Sequence, residues 1–167
     1  MKKRGNTTYE LELSAEDIFK ACDELDKFSQ KLQKARIKLL NRLADYAIEV
    51  IRQNCPVDTE ELINSIQKSE IFENTIEVYT DNAYAQFVEF GTGIVGKNNP
   101  HPDAGEFGWQ YDVNEHGIAG WKYQDKDGQW HWTQGQESSK FMYLAFQDLE
   151  QNYMRIGEEV FKEEGLI

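Results

Sequence analysis

The sequence predicts an α+β domain in which a long amphipathic N-terminal helix and a C-terminal helix pack on a small antiparallel β-sheet. Two stretches, near the start and at the end of the chain, carry apolar residues at three- and four-residue spacing. Between them, short runs alternate apolar and polar residues and are separated by turn-forming residues. Because 167 residues are the length of one domain, we expect 1–167 to form a single α+β domain.

Residues 1–13 are expected to form an N-terminal strand or arm, because apolar and polar residues alternate in TTYELEL. Ser14, three residues before Asp17, is a capping-box signal for the start of a helix. The helical pattern weakens near Phe28, so we expect a second, longer helix of roughly 25 residues after it. That helix should end before Pro56, since proline disfavours helical geometry in the residue that precedes it.

The middle of the chain carries signals for short elements. Asp58 and Glu61 are spaced as a second capping box, which predicts a short helix. Two alternating runs flank residues 73–74, and this pattern predicts a β-hairpin. The Asp-Asn pair that follows the hairpin should cap a short helix over 83–90, which Gly91 is placed to close in a left-handed conformation.

Residues 94–135 are predicted to leave the core as a long irregular loop followed by a hairpin. The loop is rich in Gly, Asn, Pro and Asp, and an Asp-Gly pair at 127–128 is a turn signal between two aromatic alternations. Apolar residues at helical spacing from Phe141 onward then predict the C-terminal helix, with Ser138 or Ser139 as its N-cap.

An excess of acidic residues argues against some classes of function. The chain carries 30 acidic and 18 basic residues, a formal net charge of −12, which disfavours an extended phosphate-binding surface. No run approaches the roughly 20 apolar residues of a membrane span. The basic N-terminus is not followed by the apolar segment of a secretory signal. We therefore expect no membrane association.

The cysteines and histidines give no sign of a metal or cofactor site. Cys22 and Cys55 are too few for a disulfide scaffold and indicate assembly in a reduced, intracellular compartment. His101, His116 and His131 form no zinc-binding motif. We expect no metal and no cofactor.

Glu89 is the best single candidate for a catalytic residue. It lies inside the run YAQFVEFGTG, where Phe87, Val88 and Phe90 offer the apolar surroundings that tune a catalytic carboxylate. No second acid has a spacing that demands partnership, so a glycosidase-like enzyme is a lesser hypothesis. The favoured interpretation is a structural acid that binds a backbone amide or a basic residue, in this subunit or the next.

All four tryptophans fall within 24 residues of the chain: Trp109, Trp121, Trp130 and Trp132. Alternating aromatic residues of this kind can pack a hairpin onto helices. They can also form an exposed surface that serves as a protein interface or as a sugar-stacking platform. A carbohydrate-binding module that uses residues 107–132 is therefore the alternative function.

Three motifs in order resemble a known family. CPVDTEELINSI (55–66), YAQFVEFGTG (84–93) and SSKFMYLAF (138–146) are similar to landmarks of the tail-component family of tailed bacteriophages, small head-tail joining proteins also called neck or tail-completion proteins. The pattern departs at Glu60, where the family has glycine, and before Phe141, where it has Arg-Pro. The segment 94–135 is also long for the family; as an insertion, it would place its aromatic residues in contacts particular to this particle.

The resemblance implies a virion structural protein of a phage, prophage or phage-tail-like particle, without enzymatic activity. Such a protein is expected to form a homo-oligomeric ring at the neck or the head-proximal end of the tail. Its partners would be copies of itself and neighbouring neck, connector or tail-tube proteins. DNA would pass through without sequence-specific binding, and assembly would take place in the cytoplasm of the bacterial host.

The residues expected at interfaces or structural motifs come from the three landmarks and the aromatic segment. They are Pro56, Val57, Asp58, Thr59, Leu62, Tyr84, Phe87, Glu89, Phe90, Gly91, Gly93, Trp109, Trp121, Trp130, Trp132 and Phe141.

Overall fold

The computed structural model describes residues 2–4, 8–10, 14–56 and 60–167, and the first two of these ranges by their backbone alone. The fold is α+β, as predicted. Contacts divide the chain into two compact units. One unit is Met1–Leu39 with Gly157–Ile167, and the other is Leu40–Ile156.

The elements follow one another in a mixed order, with the longest helices towards the two ends. The helices are α1 (Ala15–Asn54), α2 (Glu60–Ser65), α3 (Ala85–Phe90), α4 (Gly93–Asn98) and α5 (Phe141–Glu163), with a 3₁₀ turn at Gly117–Ala119. The strands are β1 (Lys2–Arg4), β2 (Thr8–Glu10), β3 (Ile66–Lys68), β4 (Val78–Thr80), β5 (Trp121–Gln124), β6 (Trp130–Thr133) and β7 (Gly135–Gln136).

Helix α1 is one continuous helix of 40 residues, so the predicted break near Phe28 is wrong. No proline or glycine lies between Ala15 and Asn54, and a weaker apolar pattern alone does not interrupt the backbone ladder. The predicted capping box is confirmed, because the Asp17 N–H donates to Ser14 Oγ over 3.1 Å and the Ser14 N–H donates to Asp17 Oδ2 over 3.2 Å. The predicted end before Pro56 is also confirmed.

The N-terminal strand prediction is partly covered by the described residues. Strand β2 lies within the alternating run and pairs antiparallel with β1, with Lys3 opposite Tyr9. The preceding strand was not predicted. Leu11 and Leu13 lie outside the described residues.

In the smaller unit, the last residues of the chain are tied to α1 by ion pairs. Glu164 Oε1 lies 2.7 Å from Lys38 Nζ, and Glu164 Oε2 lies 3.0 Å from Lys34 Nζ. The two ammonium groups, Lys38 above all, hold the pKa of the Glu164 carboxyl below its usual value. Ala35 and Val160 are fully buried in the same unit.

The larger unit contains the main hydrophobic core. Its buried residues come from α1 and the residue after it, and from α2, β3, α3 and the first turns of α5, so that all these elements share one core. They are Ile48, Ile51, Cys55, Leu62, Ile66, Ala85, Val88, Phe141 and Ala145.

The β-structure consists of separate two-stranded ladders among the described residues, whereas one small sheet was predicted. Strands β3 and β4 form the predicted hairpin, with Ile66 opposite Thr80 and a turn in which Glu73 has a positive φ of 54°. Ile66 therefore begins the first strand of this hairpin. Strands of three or four residues are too short to form a wide sheet.

Helix α3 begins at Ala85, two residues later than predicted. The reason is a turn ahead of it, in which Asn82 Oδ1 accepts the Tyr84 N–H over 3.0 Å and the Asn82 carbonyl accepts the Ala85 N–H. Asn82 was named as a candidate cap, and its side chain serves this turn instead.

The segment after Gly91 is less irregular than predicted, because α4 begins directly at Gly93. The second predicted hairpin is confirmed: β5 pairs with β6, and Trp121 lies opposite Thr133. In its turn, Asp125 Oδ1 accepts the N–H groups of Asp127 and Gln129, and Gly128 has a φ of +80°.

The predicted cap of α5 is wrong. The hydroxyl groups of Ser138 and Ser139 donate away from the helix, to the carbonyl oxygens of Glu89 and Val88 over 2.6 and 2.8 Å. The first turn of α5 is capped by a side chain from another part of the chain, described below.

Phe141 gives the first test of this packing. The substitution Phe141→Ala should lower the free energy of unfolding by about 3–5 kcal/mol, because it empties a fully buried site in the core. Thermal or denaturant unfolding measures the loss. Phe146→Ala, at an exposed position of the same helix, should change it by about 0.5 kcal/mol. Equal effects of the two substitutions would contradict the core assignment.

Candidate functional site

The segments 87–93 and 135–140 run side by side, and we call them together the corner. The backbones meet at antiparallel bridges between Thr92 and Gln136 and between Gly93 and Gly135. The Ser139 N–H donates to the Val88 carbonyl over 3.0 Å. The end of α3 is thus fixed to the segment that leads into α5.

Glu89 caps α5 from outside the helix. Its Oε2 accepts the Met142 N–H and its Oε1 accepts the Tyr143 N–H, both over 2.9 Å. The N–H groups of a first helical turn have no partner within the helix and carry partial positive charge, so a carboxylate is stabilised there. The sequence predicted that Glu89 pairs with a backbone amide or a basic residue, and the backbone amides are observed.

His101 completes the environment of this carboxylate. Its Nε2 lies 3.0 Å from Glu89 Oε1, and its Nδ1 accepts the Asp103 N–H over 3.1 Å. Because Nδ1 is an acceptor, the proton of the neutral ring is on Nε2 and is donated to Glu89. Glu89 and His101 are only 7% and 4% exposed, so all these hydrogen bonds are shielded from water.

This arrangement suits a structural role for Glu89. Three N–H groups occupy its two oxygens, and both nitrogens of His101 are engaged. A general acid or base has to reach a substrate proton, and neither side chain has a free atom directed to solvent. In the described part of the chain, no group of three or more His, Cys, Asp or Glu side chains could hold a metal ion.

Aromatic rings cover the outer side of the corner. Phe90 stacks on Trp109, with 5.1 Å between ring centroids, and contacts Phe107 edge-on at 5.5 Å. Trp109 Nε1–H donates to the Gly91 carbonyl over 3.0 Å. The tryptophan therefore packs on the corner and also satisfies a backbone group that α3 leaves open.

The two glycines of the motif are required by the close approach of backbones. Gly91 has φ +79° and ψ 169°, a glycine-specific region that differs from the left-handed helical conformation that was predicted. A Cβ on Gly91 would lie 2.7 Å from the Ser138 nitrogen, and one on Gly93 would lie 2.2 Å from the Gln134 carbonyl oxygen. Any side chain at either position would separate the segments of the corner.

A cavity of about 630 Å³ lies beside the corner. Its wall is largely aromatic, and it has the size and the apolar lining of sites that receive ligands or partner side chains. The aromatic residues of the wall are Phe87, Phe107, Trp109, Tyr111, His116 and Trp121.

Asp112 orders the far side of this cavity. Its Oδ2 accepts the Gly117 N–H over 2.7 Å and its Oδ1 accepts the His116 N–H over 2.9 Å. These two hydrogen bonds, that of Gly117 above all, lower the pKa of Asp112 below its ordinary value. The same turn places His116 edge-on to Trp121, with 5.2 Å between ring centroids.

A known family matches the part of the chain that contains Glu89. Residues 19–91 match the family model "Bacteriophage HK97-gp10, putative tail-component". The match confirms the resemblance indicated by the sequence motifs. The tail-component match runs from α1 to the end of α3 and contains the first landmark and most of the second; the third landmark lies beyond it. The matched residues are less than half of the chain, and the match is a similarity to that family over this part.

Other comparisons add no relative. Neither a curated protein nor a solved structure matches the chain. No finding supports the carbohydrate-binding alternative. Within the described residues, no helix is both long enough and apolar enough to cross a membrane.

The structure brings together five of the 16 predicted motif residues. Glu89, Phe90, Gly91, Gly93 and Trp109 meet at the corner. The others are distributed. Phe87 and Trp121 line the cavity, Leu62, Tyr84 and Phe141 belong to the core, Pro56 is exposed at the end of α1, and Trp130 and Trp132 are exposed on the second hairpin. Val57, Asp58 and Thr59 lie outside the described residues.

Sequence reasoning missed His101 as a partner of Glu89. The histidine lies 12 residues further along, in a segment that carried no pattern. The available signal was the acid itself, because a carboxylate within an apolar run has to find several donors if it is buried. On that ground His101, the first histidine after the two glycines, was a candidate donor to Glu89.

The cap gives a second test. Replacing Glu89 by glutamine keeps its size but puts an NH₂ group among N–H donors, so Glu89→Gln should lower the free energy of unfolding by about 1–3 kcal/mol. Denaturant unfolding measures it. The matched control, Glu106→Gln at an exposed position, should stay within about 0.5 kcal/mol of the parent. An unchanged stability of Glu89→Gln would refute the capping role.

The lowered pKa of Asp112 gives a pH-dependent prediction. A carboxylate whose pKa is lower in the folded state stabilises the fold above its unfolded-state pKa, and this contribution is lost as the pH falls through the folded-state value. The order of the 112–121 turn should therefore be constant above about pH 4 and decline below it. Near-ultraviolet circular dichroism of the tryptophans should report the change, and Asp112→Asn should show the low-pH signal at every pH. Helix content, followed in the far ultraviolet, separates this change from global unfolding.

Proposed function

We propose that this protein is a structural component of a phage, prophage or phage-tail-like particle that acts at the head-tail interface, in the neck or in tail completion. The observation that carries the proposal is the tail-component match over residues 19–91. The corner supports it, because the matched region ends at Gly91 and includes Glu89, the motif acid that binds the first turn of α5. The protein works by association and has no enzymatic activity.

We further propose that copies of the chain assemble into a ring and contact neighbouring neck, connector or tail-tube proteins. The tryptophan-rich segment would supply these contacts, because large aromatic side chains are the residues that most often dominate protein interfaces. Trp130 and Trp132 on the second hairpin are exposed. The 167 residues would act as one domain in the virion, assembled in the host cytoplasm.

The net charge of −12 is compatible with a ring around DNA. Like charge on the wall of a channel keeps a passing duplex from binding to it. We therefore propose that DNA passes through without sequence-specific contacts. A ring structure with a basic bore would contradict this part of the proposal.

Trp130→Ser tests the ring. Trp130 is 66% exposed, and loss of a large aromatic anchor at an interface should weaken association about thirtyfold or more. Phe72→Ser, at a 75% exposed position in the first hairpin, is the matched control and should leave assembly intact. Negative-stain imaging with co-expressed tail-tube proteins shows whether rings form and join particles.

Two results would overturn the proposed function. The first is a parent protein that neither forms rings nor joins particles. The second is specific binding of oligosaccharides with a change in tryptophan fluorescence, which would favour a carbohydrate-binding module. A flat response across a glycan panel is expected.

A further inference from the structure

The N-terminal part of α1 carries an apolar stripe at heptad spacing. Taking Ile18 as position a, the a and d positions of the next residues are all apolar. Residues 14–34 are all exposed, so nothing in the described part of the chain covers this stripe. We define the stripe as Ile18, Ala21, Leu25, Phe28 and Leu32.

The large side chains of the stripe are far more exposed than an apolar helix face normally is. Ile18, Leu25, Phe28 and Leu32 are 51%, 68%, 52% and 46% exposed. One heptad further, position d is Ala35, which is fully buried in the same unit. The stripe is thus exposed up to Leu32, and burial begins at the next d position, Ala35.

The acidic and basic residues in the first 24 residues of α1 are separated into two successive halves. Residues 15–26 contain five acidic residues and one basic residue, whereas residues 27–38 contain five basic residues and no acidic one. Two such helices attract each other when they run antiparallel, because each acidic half then lies beside a basic half. In a parallel pair, like charges would lie side by side.

The positions that flank the stripe favour the same orientation. Asp17, Glu24, Lys31 and Lys38 occupy successive g positions. In an antiparallel pair the g positions of the two helices face each other, which places Glu24 beside Lys31 of the other copy, twice by symmetry. In a parallel pair, Lys31 would instead approach Arg36, and two positive charges would meet.

The apolar residues also match in the antiparallel arrangement. When a positions face d positions, Leu25 of one copy lies opposite Phe28 of the other. Leu32 lies opposite Ala21, so that a large side chain meets a small one at this contact. The stripe from Ile18 to Leu32 spans 15 residues, or about 22 Å of helix. A second copy of this chain therefore fits residues 21–32 of the stripe in shape, apolarity and charge.

We propose that residues 15–34 of α1 are a self-association site, where two copies of the chain pair their helices antiparallel along the stripe. This contact closes on itself by two-fold symmetry, whereas a ring requires a contact between two different surfaces. The proposal goes beyond the role in the virion and does not depend on it. A dimer of the isolated protein and a ring in the particle are measured separately.

Sedimentation velocity of the full chain is the first experiment. The parent protein should show a concentration-dependent species of twice the 19.5 kDa chain mass. Leu25→Glu should abolish this species, and Phe19→Glu, an equal change of charge at an exposed b position of the same helix, should retain it. A parent chain that is monomeric at every concentration, or a Leu25→Glu variant that still dimerises, would overturn the proposal.

A charge exchange tests the partner residues. Glu24→Lys alone should raise the dissociation constant of the dimer about tenfold, since two facing pairs change from attractive to repulsive. Glu24→Lys combined with Lys31→Glu should restore the parent value. Failure of the double exchange to restore dimerisation would refute the Glu24–Lys31 pairing.

Cysteine cross-linking tests the orientation. In a Cys22→Ser background, a mixture of Ala21→Cys and Leu32→Cys chains should form a disulfide-linked dimer, and neither variant alone should do so. In the antiparallel pair, identical positions are offset by about 11 residues, or roughly 16 Å along the axis, which a disulfide cannot span. Self-linking of each variant would show a parallel pair, and no link in the mixture would exclude the pairing.

Discussion

The carboxylate of Glu89 is the interaction on which the larger unit depends. A buried carboxylate is costly unless donors surround it, and this one accepts from donors in two other parts of the chain: the loop at His101 and the first turn of α5. The donors from α5 are 53 and 54 residues away in sequence. One side chain thus fixes the start of the last helix relative to α3.

The remainder of the corner follows from that constraint. For the carboxylate to reach the first turn of α5, the end of α3 has to lie directly against residues 135–140, and this closeness excludes a side chain at Gly91 and Gly93. The turn at Gly91 leaves a carbonyl open, which Trp109 satisfies. Phe90 then packs between that tryptophan, on which it stacks, and the tilted ring of His101, so the acid, the glycines and the aromatic residues form one structure.

The sequence predicted the elements whose determinants are local. The capping box of Ser14 and Asp17 and the Asp-Gly turn at 127–128 need partners only a few residues apart, and both are observed. The cap of α5 was assigned to a serine because a serine was close in sequence. The true cap is a glutamate from another helix, and only the folded backbone brings it there. The break in α1 was predicted from apolar periodicity, which reports burial and not backbone continuity.

The same distinction explains the stripe on α1. Apolar spacing predicted a packed face along this helix, and the structure buries Ala35 but leaves Ile18 to Leu32 exposed. A periodic apolar face indicates that another surface packs against it, but it does not show whether that surface belongs to the same chain. The separation of acidic and basic residues along the helix supplies the missing information, because it distinguishes a second antiparallel copy from a parallel one. Although net charge of −12 opposes association in general, contacts depend on the charges that face each other, and here those are of opposite sign.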